Sequence, residues 1–155
     1  MGSRPKTNLA YIAGFLDGDG SLMMQIKKRS DNQKNRFMLT ICMYQDTRHE
    51  KPLLWIRKEL EIGYICRRND NITELRVNGY QQVERILKLL IPYIKFKKIQ
   101  AVTLLKSAKI LRKKKFSQRD LRKLVDYILA IQKENYVSRR KKSKKELMKI
   151  LGLTP

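Results

Sequence analysis

Tyr11-Ile12-Ala13-Gly14-Phe15-Leu16-Asp17-Gly18-Asp19-Gly20 is the stretch on which the reading of this chain turns. An apolar helical pattern runs straight into two aspartates. A carboxylate at a helix C-terminus stands where the macrodipole is already negative, so the placement asks for a cation. Upstream, Thr7 or Asn8 can cap the helix, and Leu9, Ile12, Ala13 and Leu16 recur at helical spacing, which predicts a helix over residues 7–19. On its other face Ala10, Gly14 and Gly18 are each four apart and remove bulk. Two mid-helix glycines cost ~1 kcal/mol each relative to alanine. A second helix passing close by would justify that cost, as small-residue stripes permit in membranes. The chain holds no second copy of the stripe, so the simplest partner is the same helix of a second subunit. The alternative is an ordinary helix packed on its own sheet. Two Asp19 carboxylates meeting at a two-fold axis would repel unless divalent cations lay between them, and hard oxygen ligands suit Mg²⁺. Read alone, Asp17-Gly18-Asp19-Gly20 also fits a solvated loop or a Ca²⁺-like turn.

Beyond this stretch the periodicity changes. Leu22 to Arg29 and Arg36 to Tyr44 read as strands, with Phe37, Leu39, Ile41 and Met43 alternating with Arg36, Met38, Thr40 and Cys42. Pro52 opens a helix through Leu60, with Gly63 as its stop. Tyr64 to Arg68 and Thr73 to Asn78 predict a second hairpin, and helices follow at 81–91, 98–112, 118–134 and 144–151. The expected class is therefore α+β. An αββαββα core carries a four-stranded antiparallel sheet, with helices on its apolar face and extra C-terminal helices. One domain over residues 1–155 is expected, with its core at about 8–135 and a basic C-terminal extension at 136–155. The open face of the sheet would carry Gln25, Lys27, Arg29, Arg36, Thr40, Arg68, Glu74 and Arg76. These are the residue types that read base edges in a major groove, although a solvated face would look similar.

The charge points the same way. The chain has 36 Lys and Arg against 14 Asp and Glu, a formal net charge of +22 in 155 residues. Twelve Lys or Arg and no acid lie between Glu84 and Asp120, and Ser138 to Lys145 adds six more. Such a balance is a footprint for a polyanion. A membrane surface is the rival, but the cations do not line one face of a single amphipathic helix. No apolar run suits a membrane span or a secretory signal. Cys42 and Cys66 lack metal-site spacing and His49 is the only histidine, so free thiols and no zinc site are expected.

Ile12 to Gly20 closely resembles the signature of the LAGLIDADG homing endonucleases, in their single-motif, homodimeric branch. Tyr44-Gln45, Trp55, Gly63-Tyr64 and Pro92-Tyr93-Ile94…Lys97-Lys98-Ile99-Gln100-Ala101 agree in order, so the likeness covers about residues 8–135. The resemblance implies a site-specific homing endonuclease that cuts both strands of a long pseudo-palindromic double-stranded DNA site, leaving 3′ overhangs. It implies Mg²⁺ as cofactor, with Mn²⁺ substituting and Ca²⁺ binding without cleavage, and no small-molecule cofactor. Asp19 becomes the metal-binding catalytic acid, with the Gly18 carbonyl as auxiliary ligand. Gln45 orients the hydrolytic water and Lys97 stands by the scissile phosphates. Ala10, Gly14, Asp17 and Gly18 form the homodimer interface, with Asp17 holding either the turn or that interface. Met38 and Cys42 contact thymine methyls. Ser138, Arg139, Arg140 and Lys142 grip phosphates near the centre of the site, unless that run is a solvated basic tail. An intracellular, intron-encoded protein acting at DNA in a microbial cytoplasm or an organelle is expected. An RNA maturase, or a DNA-binding regulator without catalysis, would use the same basic surface.

Overall fold

The computed structural model describes residues 3–28, 35–135 and 141–154. The chain runs α1 (Lys6–Asp19), β1 (Gly20–Lys27), β2 (Arg36–Asp46), a 3-10 turn (Thr47–His49), α2 (Lys51–Leu60), β3 (Tyr64–Arg67), β4 (Ile72–Asn78), α3 (Tyr80–Leu90), α4 (Lys98–Leu111), α5 (Gln118–Glu134) and α6 (Lys144–Ile150). The strands make one antiparallel sheet in the order β1-β2-β4-β3. The α+β class and the αββαββα order expected from the periodicities are both present. No helix among the described residues is long and apolar enough to cross a membrane.

The sheet has two unlike faces because its strands alternate. Leu22 and Met24 of β1, Phe37 to Met43 at odd positions of β2, and Leu75 and Val77 of β4 are buried under the helices. They join Leu9, Ile12 and Leu16 of α1 and the inward stripes of the other helices in one apolar cluster. The last two helices close the β1 edge. The Asn135 amide donates to the Leu22 carbonyl at 3.1 Å, and Asn35 donates to Ile150 at 2.8 Å, tying α6 to the root of β2. Covering that edge hides backbone groups that would otherwise invite another strand.

Three local expectations change. Helix α1 begins at Lys6 behind Pro5, with no side-chain cap. Asn8, expected to cap it, donates instead to the Glu59 carboxylate at 3.0 Å. Helix α2 is ended not by Gly63 but by Glu61, which takes the left-handed conformation at φ 55°. Its carboxylate is held by Arg4 at 3.1 Å. Strand β1 begins at Gly20 rather than Leu22, so no loop separates α1 from the sheet.

That direct junction depends on Gly20. A Cβ there would lie 2.5 Å from the Leu16 side chain, 2.7 Å from the Leu16 carbonyl and 3.0 Å from the Cys42 carbonyl. Two of those neighbours are backbone and cannot swing away. Gly20→Ala is therefore expected to lower stability by ~1–3 kcal/mol, read as a lower urea midpoint. Gly14→Ala, with nothing within 4 Å of its Cβ, should leave that midpoint unchanged or raise it.

Candidate active site and nucleic-acid interface

The two aspartates of α1 separate here into a scaffold and an exposed carboxylate. Asp17 accepts three backbone N–H groups from the segment before α4: Lys95 at 2.7 Å, Phe96 at 3.1 Å and Lys97 at 2.9 Å. The Lys97 ammonium in turn donates to the Asp17 carbonyl, a cation closing a helix C-terminus. Burial alone would raise the Asp17 pKa, but the backbone donors and Lys97 outweigh it and hold the carboxyl below its usual range. Asp17 is thus an internal anchor of the 95–97 turn. Of the two roles expected for Asp17, holding the turn is the one its carboxylate performs inside its own chain.

Asp19 lies one residue before β1, exposed, with no side-chain hydrogen bond or ion pair among the described residues. It lines a cavity of about 750 Å³ with Gly18, Ser21, Gln25, Tyr44 and Lys97. The structure therefore brings Asp19, Gly18 and Lys97 together. Burial draws the Lys97 ammonium below its usual pKa, opposed by the charges of Asp17 and Asp19. Lys142 of the basic extension lines the same cavity, whereas Arg29, Ser138, Arg139 and Arg140 lie outside the described residues. Gln45 does not line the cavity. It sits two residues beyond Met43, the β2 partner of Gly20, at the same end of the sheet as Asp19. Its side-chain oxygen accepts the Asp46 N–H at 2.9 Å, leaving the amide nitrogen as its free donor. His49 is exposed on the turn that follows.

Sequence reading passed over Tyr44 and Ser21. Their hydroxyls meet at 2.8 Å beside Asp19, and burial pushes the Tyr44 phenol up to about 12. Parity along β2 puts Tyr44 on the open face with Thr40 and Cys42, which was the available signal.

The open sheet face needs two kinds of description. Gln25, Lys27 and Arg36 are exposed and Met38 is half-buried, so these side chains can reach a ligand. Cys42, Thr40 and Glu74 share that face but are only 0%, 4% and 1% exposed. This corrects their assignment as contacts to bases. Cys42 lies beneath its cross-strand partner Arg76, and burial pushes its thiol up to about 11. Thr40 donates to Asn78 at 2.7 Å. Glu74 holds Arg68 at 3.0 Å and Arg76 at 2.6 Å. Alternation told which face these residues occupy, but not that longer neighbours fold over them.

The family model for LAGLIDADG endonucleases matches residues 12–118, through the α1 motif, the whole sheet and α4. The chain belongs to the LAGLIDADG endonuclease family. It is 35% identical over 101 residues to DNA endonuclease I-CvuI of Chlorella vulgaris and 33% identical over 102 residues to DNA endonuclease I-CreI of Chlamydomonas reinhardtii. These alignments span 64% and 65% of this chain, and 63% and 62% of the two relatives. A crystal structure of I-CvuI bound to its target with Ca superposes with a TM-score of 0.76 at 29% identity, covering 97% of this chain and 98% of that one. The archaeal intron-encoded homing endonuclease I-Vdi141I, complexed with DNA, shares the fold at a TM-score of 0.82 and 21% identity, over 94% of this chain and 95% of that one.

Asp17→Ala removes the acceptor of three backbone donors and frees the turn that carries Lys97. A loss of about 1–3 kcal/mol is expected, measured by chemical denaturation. The wild-type margin over this variant should be present above the unfolded carboxyl pKa of 3.8 and vanish as pH falls through the lower folded value.

Proposed function

We propose that this protein is a site-specific homing endonuclease, acting as a homodimer to cut both strands of a long, pseudo-palindromic DNA site. The observation that carries this is the unpartnered Asp19 carboxylate, delivered by α1 to a cavity beside a cationic sheet, in a chain of the LAGLIDADG family. I-CvuI has been crystallised with DNA targets in the presence of Mg and of Ca, which supports a divalent cation as cofactor here.

The donor set fits such an ion only in part. Among the described residues no group of three His, Cys, Asp or Glu side chains converges, and the cavity is lined by two carboxylates, Asp19 and Glu134. Asp19 with the Gly18 carbonyl would hold Mg²⁺, which keeps several waters and takes substrate phosphate oxygens as further ligands. When bound, the ion polarises the phosphate and makes bound water a better nucleophile. Lys97, fixed by Asp17, supplies positive charge where charge develops on the scissile phosphate. Gln45, at the same end of the sheet, would orient the attacking water through its amide nitrogen. Lys142, which lines the same cavity, would meet the phosphates that flank the cut.

The dimer reading rests on the open face of α1. Ala10, Gly14 and Gly18 are exposed, and neither Gly14 nor Gly18 has an atom within 4 Å of where a Cβ would stand. Tyr11, on the same helix, is also exposed and meets Trp55 edge-on with ring centres 5.4 Å apart. A second copy of α1 laid along this stripe would bring two Asp19 residues together, one for each strand.

Two measurements test the proposal. Asp19→Asn should abolish Mg²⁺-dependent double-strand cleavage while DNA binding survives; cutting at the wild-type rate would remove Asp19 from the chemistry. Gly14→Leu meets open space within its own subunit, so the chain should still fold cooperatively while sedimentation shows a monomer, with a lower melting temperature from the lost partner. An active wild-type monomer on DNA would overturn the dimer.

A further inference from the structure

Glu74 is a buried carboxylate on the open face of the sheet, and it is shared by two arginines in unlike ways. Arg76 presents its Nε–Nη2 edge to one oxygen, at 2.6 and 2.5 Å. That leaves its outer Nη1–Nη2 edge directed away from the carboxylate. Arg68 spends its outer edge instead, giving Nη1 to the other Glu74 oxygen at 3.0 Å and Nη2 to Asp70 at 2.6 Å. The Glu74 side chain is 2% exposed, while those of Arg68 and Arg76 are 47% and 37% exposed.

Two facts follow from these contacts. The group of Arg68, Arg76, Glu74 and Asp70 sums to zero charge, two cations against two anions, so it is a poor grip for phosphate. In a protein of net charge +22, phosphate attraction has ample supply elsewhere. Second, Arg76 is braced on three sides: Glu74 takes one guanidinium edge, the Cys42 backbone pairs with its own across β2, and Tyr64 is its cross-strand neighbour on β3. Tyr64 is itself fixed by Asn78, which donates to its hydroxyl at 2.9 Å. A planar fork held in one orientation and still 37% exposed is what bidentate recognition of guanine O6 and N7 requires.

We infer that Arg76 reads one guanine in each half of the DNA site, that Glu74 is the positioning residue that aims it, and that Arg68 serves as counter-cation to Glu74 rather than as a second reader. This rests on the proposed DNA reading by the sheet and assigns one base contact within it. Lysine carries the same charge as arginine but lacks the fork, so it isolates the geometry from the electrostatics.

The test is a binding selection on a randomised duplex library with purified dimer, followed by sequencing. The wild type should enrich guanine at one symmetric position in each half-site. Arg76→Lys should lose that preference by on the order of 10- to 100-fold and keep the preferences elsewhere. Glu74→Gln should relax the same position alone, and Arg68→Lys should leave it intact. Melting of each variant separates a reading defect from unfolding, since a merely structural role for Glu74 would lower the melting temperature without changing one base position. A preferred sequence whose guanine survives Arg76→Lys, or one relaxed by Arg68→Lys instead, overturns this inference alone. A wild type with no preferred sequence overturns the DNA-site reading with it.

Discussion

The absence of any loop between α1 and β1 is the constraint on which the rest depends. The helix must end, the chain must become extended, and an acid must be delivered, all within Asp17 to Gly20. Gly20 allows it because the backbone of β2 and the Leu16 carbonyl leave no room for a side chain. Asp17 stabilises it by collecting three N–H groups from the turn before α4. The helix end, the strand start and the turn bearing Lys97 are thereby one rigid unit. Asp19 and Lys97, far apart in sequence, face one cavity because of it.

In so cationic a chain, carboxylates are most informative by where they are not neutralised. Asp46 is held by Arg48, Glu50 by Arg67, Glu84 by Lys88 and Arg112, and Asp120 by Lys113. Glu84 does this while almost fully buried, which fastens α3 to the end of α4. A buried acid of this kind stabilises only when its partners are present. Asp19 and Glu134, which line the same cavity, have no ion pair among the described residues, and Asp19 is the exposed one of the two.

Much of the architecture was legible in the order of residues. Period-two alternation in Phe37 to Met43 and helical spacing in Val83 to Leu90 respond to the same burial that builds the core, so element type and order could be read directly. Boundaries were less secure. The stop of α2 falls on Glu61 in a left-handed conformation, where glycine would be the usual signal, and Arg4 and Arg85 reach across to donate to the Glu59 and Leu60 carbonyls at that end. The α1 cap moved because Asn8 found a tertiary partner in Glu59. In both cases a contact from distant sequence outweighed the local preference.

The sequence by itself determined the α+β class, the order of elements, the family, and which residues line each face of the sheet, since hydrophobic period and motif are local properties of the chain. Only the tertiary structure decided what each polar residue does on its face. It turned Asp17 into an anchor for Lys97, buried Cys42, Thr40 and Glu74 under their neighbours, and left Asp19 and Arg76 with donors or acceptors to spare. The physical reason is that a polar group's role depends on which partners reach it, and those partners come from strands and turns far away in the chain.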